Sequence, residues 1–227
     1  MKNILVVGGS GFVGSNLVNI LAKKKKYKTF STFFKKKKFK KIRSVKYFRG
    51  DLKKQKFCEK INKKKDIVIM CAAFTAGAKI IEKNPLEFVT INTQINLNIL
   101  NACKKNKIKK FIFLSSNVVY PNKKTAMKEE DVNYSFFKKY NNVAWMKIYT
   151  EKVCKMYNEF FDILILRPSN LYGPYDKFDK LNAKVIPSLI RKFSNYKKVE
   201  IWGDGKDIKD FLYIEDFVKI LSLLIKN

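Results

Sequence analysis

The stretch that most constrains this chain lies at its start. Ile4-Leu5-Val6-Val7 is an unbroken apolar run ending on Gly8-Gly9, and Gly8, Gly11 and Gly14 then repeat at three-residue spacing, G-x-x-G-x-x-G. A short apolar run closed by glycine reads as a parallel strand buried on both faces. From Phe12 onward, Phe12, Val13, Leu17, Val18 and Leu21 recur at helical spacing, so the glycines lie where a strand turns into a helix. Gly8 permits the tight turn, Gly11 lets backbone approach a bound group, and Gly14 lets the helix settle against the sheet. The helix N-terminus adds free N–H groups and the positive end of its dipole. Strand, loop and helix together form a cradle for a pyrophosphate, which makes Gly8, Ser10, Gly11, Phe12, Val13 and Gly14 the candidate dinucleotide-binding residues.

The rest of the chain repeats the alternation. Strands are expected at Tyr27 to Phe34, Val45 to Phe48, Asp66 to Met70, Phe111 to Ser115, Ile163 to Leu166 and Val199 to Trp202. Helices are expected at Leu52 to Ile61, at Pro85 to Cys103 with proline in the first turn, at Ala144 to Phe160, and from Val185 and Ile214. Residues Pro121 to Asn142 read as a polar loop with a helix fragment. Strands alternating with helices imply βαβ units and a doubly wound parallel sheet, with ligands outside the carboxyl ends of the strands. No internal repeat and no Pro/Gly/Ser-rich linker interrupts the pattern. The end of the second strand, Phe30-Ser31-Thr32-Phe33-Phe34-Lys35-Lys36, lacks the acid that usually holds the ribose hydroxyls of NAD. Lysine there suits the extra phosphate of NADP, but the same lysines belong to a general excess, so NADP and NAD both stay open.

That excess is large: Lys+Arg 49 against Asp+Glu 19, a formal charge of +30. Only Arg43, Arg49, Arg167 and Arg191 are arginine, whereas a surface built to read nucleic acid uses the planar arginine fork as well. Lys, Asn, Ile, Phe and Tyr are all abundant and all have AT-rich codons, so the charge reads as codon bias rather than a dedicated nucleic-acid site. It still attracts anions, phosphorylated ligands included. There is no histidine, which removes imidazole triads, shuttles and metal ligands, and no metal site is expected. Cys58, Cys71, Cys103 and Cys154 have no metal-binding spacing and read as free thiols. No apolar run is long enough to cross a bilayer. The first residues show no leader pattern, so a cytoplasmic protein without membrane contact is expected.

Further segments then carry a resemblance. GGSGFVG at 8–14, GDL at 50–52, MCAA at 70–73, FIFLSSNVVYP at 111–121, LRPSNLYGPYDKF at 166–178, VIPSLIRKF at 185–193 and WGDGKDIKDFLYIEDF at 202–217 follow in order. In these motifs the chain resembles the extended short-chain dehydrogenases/reductases of the NAD-dependent epimerase/dehydratase type, and within them the GDP-L-fucose synthases. The resemblance implies an α/β, Rossmann-type NAD(P)-binding domain over residues 1–168. Residues 169–227 would then be a truncated C-terminal substrate-binding lobe, interleaved with the domain's last strand and helix. It also implies hydride transfer on a nucleotide-diphosphate sugar with NADP or NAD, and allows a homodimer. By the same resemblance Asp51 and Leu52 flank the adenine, and Ala72 and Ala73 line the cofactor near the ribose. Ser116 and Lys147 are the catalytic serine and lysine, with Lys147 also on the cofactor. Asn170, Arg191, Trp202 and Lys209 face the sugar nucleotide.

The chain departs from that pattern in three places. The family's chemistry uses Tyr-x-x-x-Lys on a helix, where the ammonium one turn away lowers the phenol's pKa and the phenol exchanges a proton with the sugar oxygen. Here the aligned segment is Val143-Ala144-Trp145-Met146-Lys147, with valine in the tyrosine's place. Tyr134 to Lys138 has the spacing but lies in the loop, and Tyr140 and Tyr149 lack it. The cysteine and histidine that serve epimerisation in fucose synthases correspond to Val118 and Lys184. Finally, the chain stops at Asn227, soon after FLYIEDF, where most members continue. A non-catalytic module binding NAD(P) or a nucleotide sugar is the alternative reading.

Overall fold

The computed structural model describes residues 1–35, 39–75, 83–121, 125–179, 182–201, 204–206, 208 and onward to 226. Its chain order is β1 (Lys2–Val7), α1 (Phe12–Leu21), β2 (Tyr27–Phe33), β3 (Lys46–Arg49), α2 (Gln55–Asn62), β4 (Ile67–Met70), α3 (Pro85–Lys105), β5 (Lys110–Leu114), α4 (Asn141–Met156), β6 (Asp162–Leu166), β7 (Asn170–Tyr172), α5 (Val185–Asn195), β8 (Phe211–Tyr213) and α6 (Ile214–Leu224). The first six strands form one sheet in the order β3-β2-β1-β4-β5-β6, every pair parallel.

Side-chain alternation along β1 explains why both faces must be covered. Ile4 and Val6 point into a core with Leu17, Val18 and Leu21 of α1 and Phe217, Val218 and Leu221 of α6. Leu5 and Val7 point the other way, into a core with Cys58 and Ile61 of α2, Ile99 and Cys103 of α3, and Cys154 of α4. The sheet is therefore wound on both sides. β1 lies between β2 and β4, where the strand order reverses direction, so the loop leaving its carboxyl end opens into the crevice where such sheets take ligands.

One expectation from sequence needs correction. No strand forms at Val199 to Ile201, and Trp202 lies outside the described residues. Ile201 there is 57% exposed and Lys197, Lys198 and Glu200 surround the apolar pair, so the segment has neither a buried face nor a strand to join. Instead β7 and β8 pair in parallel, Asn170 opposite Phe211 and Tyr172 opposite Tyr213. Each is three residues long, too short to show a period. The loop before α4 holds two short 3₁₀ turns, Glu129–Asp131 and Lys138–Tyr140, and a bridge between Pro121 and Phe136. Among the described residues no helix is long and apolar enough to cross a membrane.

Candidate functional site

The glycine loop is held by hydroxyls from neighbouring elements. Gly8 donates its N–H to Thr32 Oγ1 of β2 (2.8 Å), Ser31 Oγ of β2 donates to the Val6 carbonyl (3.0 Å), and Ser15 Oγ of α1 donates to the Gly9 carbonyl (3.0 Å). Gly8 has φ +91°, and a Cβ there would lie 2.7 Å from the backbone of Ala72. A Cβ on Gly14 would strike the Gly8 carbonyl. Gly11 is exposed, and a Cβ on it would meet only the Gly8 carbonyl, at 3.2 Å. The cradle is thus closed on the sheet side and open at Gly11. No side chain caps α1 and no acid sits in its first turn, so its N–H groups and dipole face the opening. These features fit a dinucleotide's diphosphate.

The adjoining loops carry the expected adenine and ribose positions. Asp51 is half-buried and accepts from Lys53 N (2.9 Å) in a turn. The Leu52 carbonyl accepts from Asn98 of α3 (2.9 Å) and from the Cys58 thiol. Ala72 touches the glycine loop and Ala73 is exposed. The loop they belong to is clamped by buried Asn92 of α3, which accepts from Phe74 N (2.9 Å) and donates to Phe74 O (3.0 Å).

Ser116 and Lys147 both lie at the carboxyl end of β5. Lys147 on α4 donates to the Leu114 carbonyl, the last residue of β5, at 2.7 Å, with its ammonium 4.9 Å from the Phe113 ring centre. Burial pushes its pKa down to about 8, against an opposing pull from Glu151. Ser116, two residues past Leu114, caps the 3₁₀ turn Asn117–Val119: its Oγ accepts from Val118 N (3.4 Å) and donates to Asn117 Oδ1 (3.3 Å). Capping and a role toward a ligand are compatible, since both bonds are long. Below them Glu151 of α4 takes two bonds from Arg167, at 3.1 and 2.7 Å, and Arg167 also donates to Tyr120 Oη (3.3 Å) and the Glu129 carbonyl (3.0 Å). This buried brace fixes α4 to the end of β6.

The departures also have places. Val143 is half-buried one turn before Lys147. Tyr134 stacks on Trp145 with ring centres 5.6 Å apart, and Trp145 projects from α4 about half a turn away from Lys147, so that tyrosine belongs to the outer surface. The Tyr140 ring packs on Phe137, and Tyr149 is 49% exposed. Val118 lies in the 3₁₀ turn. Lys184, just ahead of α5, reaches the glycine loop: its ammonium stands 5.1 Å from the Phe12 ring centre.

The residues expected on the sugar-nucleotide side are more scattered. Asn170 in β7 is exposed, and its side chain and backbone N–H both donate to the Asp210 carbonyl, tying β7 to β8. Lys209 is exposed just ahead of β8. Arg191 lies on α5 with its Nε buried and without a hydrogen-bond partner, an orphaned donor that suits an anion. Sequence reasoning missed Ser31, Thr32, Asn92, Glu151 and Arg167. Only the hydroxyl pair in an otherwise aromatic strand hinted at the first two.

A parallel sheet in this order, with a glycine loop at its switch point and a lysine turned onto the end of the fifth strand, defines a Rossmann-type α/β protein. The chain belongs to the NAD dependent epimerase/dehydratase family, whose model matches residues 4–227. It is 33% identical to the GDP-L-colitose synthase of Yersinia pseudotuberculosis over 174 residues, 72% of this chain and 56% of that one. It is 34% identical to the GDP-L-fucose synthase of Escherichia coli K12 over 160 residues, 66% of this chain and 50% of that one. The chain thus spans about half the length of these relatives. Among solved structures, the UDP-N-acetylglucosamine 4-epimerase of Methanobrevibacter ruminantium, in complex with UDP-N-acetylmuramic acid, aligns with a TM-score of 0.87 at 30% identity, covering 100% of this chain and 73% of that one. The UDP-glucuronic acid 4-epimerase of Bacillus cereus, in complex with UDP-glucuronic acid and NAD, aligns with a TM-score of 0.81 at 26% identity, covering 100% and 74%.

Proposed function

We propose that this chain is an NAD(P)-dependent oxidoreductase acting on a nucleotide-diphosphate sugar, in the manner of a GDP-L-fucose synthase reducing a keto sugar. The observation that carries the reading is the glycine cradle: no room for a side chain at Gly8, Gly9 or Gly14, open at Gly11 and capped by bare helix N–H groups. Gly8 to Gly14 hold the diphosphate, Asp51 and Leu52 the adenine end, and Ala72, Ala73 and Lys147 the ribose side. A nicotinamide held there would supply the hydride for a sugar carbonyl, whose oxygen would take its proton from solvent. Ser116 donates a hydrogen bond to that carbonyl oxygen, and the Lys147 ammonium stabilises the charge that develops on it. Asn170, Arg191 and Lys209 face the sugar nucleotide, with residues 169–227 as a partial substrate lobe on the domain of residues 1–168. The end of β2 carries no acid, and the Lys41 ammonium stands 5.0 Å from the ring centre of Phe33, its last residue; this favours NADP over NAD.

Val143 favours a second reading, a module that binds NAD(P) or a nucleotide sugar without turnover, because valine has no proton to give. One experiment separates the two. Protein fluorescence titrated with NADPH and with NADH should report saturable binding, tighter for NADPH; binding of neither overturns the oxidoreductase and leaves only a module for the nucleotide sugar. Val143→Tyr should then raise reduction of a 4-keto sugar nucleotide by roughly 10²–10⁴-fold, the usual worth of a positioned general acid. Cofactor binding with no gain in rate selects the non-catalytic module.

A further inference from the structure

The amino ends of the strands, across the sheet from the glycine loop, hold a cluster that the proposed activity does not use. Phe30 of β2 and Phe48 of β3 stack with ring centres 6.3 Å apart and planes at 13°. Three lysines converge on this pair. Lys65, just ahead of β4, stands 3.9 Å from the Phe30 centre and 6.0 Å from that of Phe48; Lys28 stands 5.9 Å from Phe30, and Lys46 stands 5.7 Å from Phe48. Two of them precede their phenylalanine by two residues in a strand, which puts ammonium and ring on one face. Among the described residues none of the three pairs with a carboxylate. The neighbouring carboxylate, Asp66, is taken by Asn3 N (2.8 Å) and Lys109 (3.4 Å). Burial and the like charges of Lys46 and Lys28 hold the Lys65 ammonium below its usual range. The rings repay part of the cost of this crowding, and Lys65 spends one N–H on the Lys63 carbonyl (2.7 Å). The remaining N–H donors lack an anion.

We propose that Lys28, Lys46 and Lys65 form a binding site for a compact oligophosphate, separate from the dinucleotide cradle. Three ammonium groups over one ring pair 6.3 Å long suit phosphoryl groups joined in succession, as in inorganic tripolyphosphate or the phosphate tail of a nucleoside triphosphate. The proposal does not depend on the oxidoreductase reading, since the cradle lies at the other end of the strands.

Calorimetric titration with inorganic tripolyphosphate tests it on three proteins. These are the wild type, the triple variant Lys28→Gln, Lys46→Gln, Lys65→Gln, and a charge-matched control with Lys104→Gln, Lys152→Gln and Lys219→Gln. Lys104 also stands on a ring, 3.7 Å from the centre of Phe160, so the control loses equal charge and one equally good cation–π contact. The glycine cradle is intact in all three, and any binding there cancels. The cluster variant should lose one equivalent of binding, or weaken it about tenfold or more, while the control stays within about twofold of wild type. Equal loss in both variants assigns the binding to the diffuse +30 field and overturns the proposal; so does no loss in the cluster variant. Tripolyphosphate should also raise the melting temperature of the wild type by more than it raises that of the cluster variant, whose cradle is intact; equal shifts count against the site. If the triple variant misfolds, Lys46→Gln alone, exposed on the sheet's edge strand, should show a partial loss, and unchanged affinity there sinks the idea. A parallel titration with ATP names the source: equal affinity means the phosphate chain alone is read, tighter binding means a nucleoside is part of the ligand.

Discussion

Val143 and Lys147 share one face of α4, a turn apart, and only one of them can carry charge. The lysine's surroundings are unusual. Its ammonium bonds a strand-end carbonyl in a buried setting that holds its pKa near 8, against an ordinary 10.5. Below about 8 the folded and unfolded chains both hold the proton, and the folded state bears the full cost of a buried charge. Between 8 and 10.5 the unfolded chain binds more protons, so folding stability rises with pH, by up to about 3 kcal/mol. Urea unfolding at pH 7.5 and at pH 10 should show that rise in the wild type minus Lys147→Met, since the variant keeps every other titrating group. Gly14 makes a steric prediction. Gly14→Val places a side chain against the Gly8 carbonyl, so NADPH affinity should fall by about 100-fold or more while far-UV circular dichroism keeps its α/β form. Unchanged affinity would mean that the diphosphate lies elsewhere.

At the scale of elements, α4 is anchored by the bonds between Glu151 and Arg167, whose side chains are 4% and 17% exposed. Removing one partner leaves the other charged and buried. Arg167→Met should therefore cost about 3–5 kcal/mol in urea unfolding, whereas Arg167→Met with Glu151→Leu should recover most of it. If the double variant is no better than the single, the bond is not what the brace contributes. The same elements show what the sequence could tell. α1 falls at Phe12–Leu21 as its spacing predicts, because the glycines ahead and the lysines behind punctuate it locally. The Leu52 to Ile61 helix starts instead at Gln55, since Asp51 bonds Lys53 N and spends those residues on a turn. β7 and β8 are invisible in sequence because each exists through the other, with Asn170 of β7 bonded to Asp210, 40 residues away, just ahead of β8. The site divides in the same way. The glycine cradle is written in consecutive residues. Thr32 on Gly8, 24 residues distant, and Arg167 on Glu151, 16 distant, become partners only when β2 and β6 join the sheet.

For the whole molecule, the fold tolerates a charge of +30 because, among the described residues, no charged side chain is buried in the sheet. Lysine stems also cover exposed rings, as Lys41 does with Phe33 and Phe39. One layer of the interior has a chemical consequence. Cys58, Cys103 and Cys154 come from three successive helices, α2, α3 and α4, and all are 0% exposed in a single core on one face of the sheet. Burial holds the thiols of Cys58 and Cys154 up at about 12, so they are mute toward a maleimide or a disulfide reagent while the helices stay down. Labelling should then track the detachment of those helices from the sheet. If they lift as one body, mass spectrometry will find chains that have gained all three labels beside chains that have gained none of them, and a ladder of singly and doubly tagged species would mean that the helices peel away one at a time.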